Sequence, residues 1–143
     1  MLIKQISVFV ENKQGRLAEI TSLLGNAGIN LRAVSIGDTT DFGILRMIVN
    51  KPDEAERVLK DAGMTMSVTQ VIGLSLDDCP GSFSKAVTAL SDGKISIEYM
   101  YAFNTGIDNK ASIIIRVNDN EKALKALAQS NIRIITEEEI YNS

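Results

Sequence analysis

Two short segments hold the residue types that could do chemistry. Asn12-Lys13-Gln14-Gly15-Arg16-Leu17 recurs 66 residues later as Asp78-Cys79-Pro80-Gly81-Ser82-Phe83. Each places a glycine just before or at the start of a helical stretch. Glycine lets backbone approach a ligand closely. The unpaired N–H groups of a first helical turn attract a carboxylate. A duplicated loop of this kind suggests two equivalent or near-equivalent pockets, which points to binding more than to catalysis.

Much chemistry is excluded at once. The 143 residues include no histidine, so the commonest general acid/base and metal ligand is missing. A Ser-His-Asp or Cys-His device cannot form. A zinc site would have only carboxylates and Cys79 to draw on, so neither metal nor cofactor is expected. The net charge is −3, without the clustered Lys and Arg that nucleic acid requires. No apolar run approaches the roughly 20 residues of a membrane span. The N-terminal Met-Leu-Ile-Lys-Gln-Ile-Ser-Val-Phe-Val alternates like a strand and lacks the unbroken apolar stretch of a signal peptide. A single cysteine excludes an internal disulfide framework and suits a reducing cytosol. With 45% hydrophobic and 23% charged residues, the composition is that of an ordinary globular protein.

The elements that would carry these loops are duplicated too. The same offset of 66 brings Ile6, Val8 and Val10 onto Ile72, Leu74 and Leu76, and Ile29-Asn30-Leu31 onto Ile95-Ser96-Ile97. Further on the offset becomes 68, pairing Leu45, Met47 and Val49 with Ile113, Ile115 and Val117. Period-two alternation marks a strand around Ile6–Val10. Leu17, Ile20, Leu23, Leu24 and Ala27 form the stripe of a helix, which Gly28 closes in a left-handed cap. Strands follow over Ile29–Ile36 and Ile44–Val49, with a turn at Gly37–Asp41. Pro52 opens a second helix bearing Ala55, Val58, Leu59 and Ala62. Gly63 ends that helix, and a fourth strand covers Met64–Val71. The second copy predicts a strand over Val71–Leu76, a helix over Ser82–Asp92 and a strand over Ile95–Phe103. A turn at 104–109, a strand over Ala111–Val117, a helix over Asn120–Gln129 and a last strand over Ile132–Glu138 complete it.

Each copy therefore reads β-α-β-β-α-β, an α+β unit of ferredoxin-like type. Both helices should cover one face of an antiparallel sheet, with Leu17 and Phe83 turned to the core. The other face should be bare and mixed, with Gln5, Ser7, Arg46 and Ile48 in one copy and Gly73, Ser75, Ile114 and Arg116 in the other. The facing of Arg32–Ile36 and Glu98–Ala102 stays open, because Val34 and Ile36 break the alternation begun at Leu31. The domains expected are 1–70 and 71–143, with no linker between them. Units of about 70 residues are marginal alone, so the two should pack as one body.

These motifs resemble the ACT domain family, small βαββαβ modules that regulate amino-acid metabolism, usually by binding an amino acid between two paired copies. The resemblance rests on Glu11-Asn12-Lys13-Gln14-Gly15-Arg16-Leu17 with Asn26-Ala27-Gly28-Ile29-Asn30-Leu31. That first copy carries the stronger match; the second, Asp77-Asp78-Cys79-Pro80-Gly81-Ser82-Phe83 with Ile95-Ser96-Ile97, is clear but departs in places. In the second copy Ser96 stands where the family often has Asn or Asp, and Lys94 where it usually has Gly. The repeats cover nearly the whole chain, so it looks like a free-standing tandem ACT protein. The resemblance implies that Asn12 and Asn30 hold ligand in one copy, and Asp78 and Ser96 in the other. It also implies roles for Leu31, Ser82 and Phe83 beside the glycines. An Asn offers donor and acceptor to a zwitterion. Glu11, Asp77 and Asp78 could accept from an ammonium group, and Arg16 could pair with a carboxylate.

Each residue also has a plainer reading. Gly15 and Gly81 could serve only a tight turn. Asn12 and Asp78 could cap helices, Asn30 could cap or bulge a strand start, and Arg16 could be a solvated first-turn residue. Cys79, near a helix N-terminus, is either a thiolate-prone site or a plain loop residue. Tyr99, Tyr101 and Phe103 would fill a core or an interface. The leading reading is a non-catalytic amino-acid sensor, with a homodimer or a partner enzyme as its associate. The others are an interaction module with vestigial pockets, a small ferredoxin-like enzyme, and an RNA-binding sheet that lacks the basic charge for it.

Overall fold

The computed structural model describes residues 2–11, 14–38, 42–103 and 110–142. Asn12, Lys13, part of the expected turn at 37–41 and all of that at 104–109 lie outside them. The chain runs through β1 (Ile3–Glu11), α1 (Arg16–Asn26), β2 (Leu31–Asp38), β3 (Phe42–Val49), α2 (Pro52–Asp61) and β4 (Met66–Asp77). It continues through α3 (Ser82–Asp92), β5 (Ile97–Phe103), β6 (Lys110–Val117), α4 (Asn120–Gln129), β7 (Arg133–Ile135) and α5 (Glu137–Tyr141). Local chemistry sets most of these limits. Gly28 (φ 73°) and Gly63 (φ 77°) turn the chain out of α1 and α2. Pro52 opens α2, and the Asp119 carboxylate accepts from the Lys122 N–H at 3.1 Å to start α4.

Two compact units result, Lys4–Thr69 with Tyr141–Ser143, and Met1–Ile3 with Gln70–Ile140. In the first the strand order is β2-β3-β1, with the start of β4 beside β1. In the second it is β7-β4-β6-β5. Both are the split βαβ arrangement, in which the last strand flanks the first. Ile6, Val8, Leu45, Met47, Ile20, Leu24, Ala55 and Leu59 fill one core. Ile72, Leu74, Ile113, Ile115, Ala86, Leu90, Ala123 and Leu127 fill the other.

The broken alternation has a physical cause. The β2–β3 register slips between Leu31 and Ala33, and the β5–β6 register slips between Ile97 and Tyr99. One extra residue, Arg32 or Glu98, bulges the strand and reverses the facing of the residues after it. Val34 and Ile36 thereby share the helix-side face with Met47 and Leu45. Tyr101 and Phe103 share the opposite face with Ile114 and Ser112.

Three expectations are corrected. The strands expected over Met64–Val71 and Val71–Leu76 are one element, β4. A Cβ at Gly73 would lie 2.9 Å from Ile3 Cδ1 and 3.3 Å from Ile135 Cβ, so any side chain there would have to displace both. The last strand stops at Ile135, and residues 137–141 form α5 instead. Thr136 and Glu139 make a capping box: the Thr136 N–H donates to Glu139 Oε1 at 3.3 Å, and the Glu139 N–H to Thr136 Oγ1 at 3.2 Å. Finally, the second face is not bare, because Gln5, Ile48 and Ile114 are fully buried. Over Gly73 the cover comes from Ile3 and Ile135.

Candidate functional site

Both candidate loops end on a glycine that is also a helix N-cap. Gly15 (φ 88°) precedes α1 and Gly81 (φ 90°) precedes α3, each left-handed and neither with a side-chain cap. Their carbonyls accept from the Glu19 and Lys85 N–H groups, both at 3.0 Å. Space beside each glycine is open, so the backbone angle and not crowding demands it. Among the described residues the Leu17, Ala18, Phe83 and Ser84 N–H groups find no acceptor. These two helix starts therefore keep donors for an anion.

Leu17 and Phe83 do not face the core as expected; they are 42% and 46% exposed. Buried positions begin one turn later, at Ile20 and Ala86. The apolar stripe has the right angle, but its first turn stays exposed. Each glycine loop is thus flanked by an exposed apolar side chain.

A cleft opens beside each helix start. The first, about 150 Å³, is bounded by Phe9, Glu11, Arg16, Ile20 and Thr65. The second, about 160 Å³, is bounded by Ser75, Asp77, Ser82, Lys85, Lys110 and Arg133. Phe9 and Ser75, Glu11 and Asp77, Arg16 and Ser82, and Thr65 and Arg133 are matching positions of the two copies. The charges have diverged. Arg16 donates to Glu19 at 3.1 Å and lies 4.0 Å from Glu11. In the second cleft Asp77 is paired with Lys110. The Lys110 hydrogen bond and charge, with Lys85 adding, hold the Asp77 carboxyl below its ordinary range.

The remaining expected residues sit elsewhere. Asn30 and Ser96 lie beyond the far ends of α1 and α3. The 11 residues of α1 span about 16 Å, so one unit does not bring Asn30 to Gly15 or Ser96 to Gly81. Their main chains are engaged. The Asn30 N–H donates to Asn50 Oδ1 at 2.9 Å, and the Asn50 N–H returns to the Asn30 carbonyl at 3.1 Å. Ser96 and Asn118 repeat this clamp at 3.0 and 3.2 Å. Both side chains at 30 and 96 stay exposed, and Leu31 packs against its core. Asp78 is an exposed loop residue, and Cys79 is exposed with its Sγ 3.1 Å from Ser82 Oγ. Sequence reasoning missed Asn50 and Asn118, although their spacing of 68 repeats that of Val49 and Val117. It also missed Lys85, Lys110 and Arg133, which only the fold assembles. Among the described residues no group of three His, Cys, Asp or Glu side chains could hold a metal.

A family profile described as an ACT domain pair matches residues 1–143. The chain belongs to the ACT domain pair family. A crystal structure of protein BT0572 from Bacteroides thetaiotaomicron matches this ACT domain pair with a TM-score of 0.94 and 38% identity, covering 100% of this chain and 98% of that one. The ligand-free regulatory subunit of aspartate kinase from Thermus thermophilus matches with a TM-score of 0.65 and 19% identity, over 90% of this chain and 93% of the other. The corresponding subunit from Thermus flavus gives 0.62 and 19%, over 90% and 92%. At that identity the likeness is one of fold. No curated protein matches the sequence. ACT domain pairs are regulatory modules, and two such domains account for the described architecture.

Proposed function

We propose that this ACT domain pair is a cytoplasmic, non-catalytic sensor that binds a small amino acid at the loops carrying Gly15 and Gly81. One observation carries the reading: two left-handed glycine N-caps, at matching positions, leave first-turn amides without an acceptor among the described residues, beside open clefts. Amides of this kind suit an α-carboxylate. Glu11 and Asp77 stand beside them to accept from an α-ammonium group. Asn30 and Ser96 could complete such a site only from a paired domain, as in a dimer of chains.

Titration calorimetry of the whole chain against the twenty amino acids tests this. One amino acid, or a small related set, should saturate, and Gly15→Ala or Gly81→Ala should weaken it. Absence of saturation at about 1 mM, which corresponds to roughly −4 kcal/mol, would refute the reading.

A second reading, an interaction module for a second chain or a partner enzyme, draws on one specific feature. Val34 and Ile36 on the edge strand β2 are 52% and 48% exposed, and such an edge invites pairing. Sedimentation of the wild type beside Val34→Lys separates a self-associating chain from a monomer.

A further inference from the structure

We propose a second ligand cavity, on the sheet face of the Gln70–Ile140 unit turned away from α3 and α4 and bordered by α5, for a small carboxylic acid with a short apolar tail. The cavity is about 260 Å³, or roughly nine water volumes. Ser75, Ser112, Lys110, Arg133 and Glu139 line it together with Ile135 and Ile140. Strand register explains why these residues meet: Ser75 pairs with both Ser112 and Arg133 across β4, β6 and β7, and Ile135 pairs with Gly73.

The polar floor calls for a partner. Ser112 is only 2% exposed and lines the cavity, and its hydroxyl has no hydrogen-bond partner among the described residues. That hydroxyl keeps its donor and acceptor open toward the cavity. Ile135 and Ile140, 4% and 1% exposed, supply apolar wall.

The charges select an anion. Lys110 is paired with Asp77, and Arg133 with Glu139. Lysine has three donors and arginine five, so both keep donors for a further acceptor. Glu139 is also fastened independently, since the Thr136 hydroxyl donates to it at 3.1 Å. Lys110, Arg133 and Ser75 border the neighbouring cleft as well, where Lys85 adds a third cation against Asp77. That excess favours a net anion over a zwitterion. The matching positions of the first copy hold Phe9, Phe42, Ile44 and Thr65, so this chemistry belongs to the second copy alone. It does not depend on the glycine loops.

Amide NMR of the whole protein, titrated with sodium n-alkanoates from acetate to octanoate against a sodium chloride control, tests the assignment. Saturable shifts should centre on Ser112, Ile135 and Ile140. Affinity should rise with tail length to roughly four to six carbons and then fall as the cavity fills. Arg133→Gln should weaken binding about tenfold, as loss of a charge-assisted contact does, and Gly81→Ala should leave it unchanged. Chloride-like shifts, indifference to tail length, or a folded Arg133→Gln that binds like wild type would each overturn the proposal. If Arg133→Gln fails to fold, the tail-length series on wild type decides.

Discussion

The two copies disagree about the residue that leaves each helix, and one substitution can expose the cost. After α1 the chain turns at Gly28 (φ 73°); after α3 the matching residue is Lys94 (φ 60°). The surrounding backbone is the same. The Ile29 N–H returns to Leu24 and the Ile95 N–H to Leu90, both at 2.9 Å. The left-handed conformation costs a non-glycine residue about 1–2 kcal/mol. Glycine gives back roughly 0.4–1 kcal/mol through its freer unfolded chain. Lys94 is exposed, so no packing is lost on its replacement. Lys94→Gly should therefore stabilise the protein by about 1 kcal/mol. With a urea slope of roughly 1–3 kcal/mol per molar, the midpoint should rise by about 0.3–1 M. The reciprocal Gly28→Lys should lower it by a similar amount. Equilibrium urea unfolding followed by far-ultraviolet circular dichroism reads both. An unchanged or lower midpoint for Lys94→Gly, together with a neutral Gly28→Lys, would refute the strain argument.

The same geometry sets two further outcomes. Gly73→Ala should destabilise by about 1–3 kcal/mol, because its Cβ would press on Ile3 and Ile135; thermal unfolding measures the loss. Acid should also weaken the fold in a defined window. At Glu139 partial burial raises the carboxyl pKa, but the Thr136 amide and hydroxyl and the Arg133 charge outweigh it and leave it lowered. Asp77 is lowered by Lys110. A depressed carboxylate stabilises fully above its unfolded pKa and ceases to as pH falls through the folded one. Urea midpoints should hold above about pH 4.5 and drop below it, and the drop should shrink in Asp77→Asn with Glu139→Gln.

Most of the architecture was written in local pattern. The alternation at Ile6, Val8 and Val10, Pro52 at a helix start and glycines at helix ends act within a few residues of themselves. The failures are of two kinds. At Thr136–Glu139 a capping box was present, and the β-compatible run before it masked the signal. At Gln5 and Ile48 the alternation gave the correct face, but burial of that face depends on contacts distant in sequence. The candidate site divides the same way. Gly15 and Gly81 announce themselves, because a left-handed N-cap admits little else. Lys110 and Arg133 meet Ser75 only through strand register, and register is a property of pairs of strands. Arg32 and Glu98 lie between these extremes: their bulges are visible as broken alternation but explicable only beside β3 and β6.

Neither compact unit is a contiguous piece of polypeptide. The Lys4 N–H reaches the Tyr141 hydroxyl across 137 residues, at 3.1 Å, and Arg32 donates to the Tyr141 carbonyl at 3.5 Å. The half that the ribosome makes first is therefore the half completed last. At roughly 5–20 residues per second, it waits several seconds for its closing tyrosine. Cutting the gene between the repeats would yield two incomplete fragments that have to be mixed to regain their missing ends.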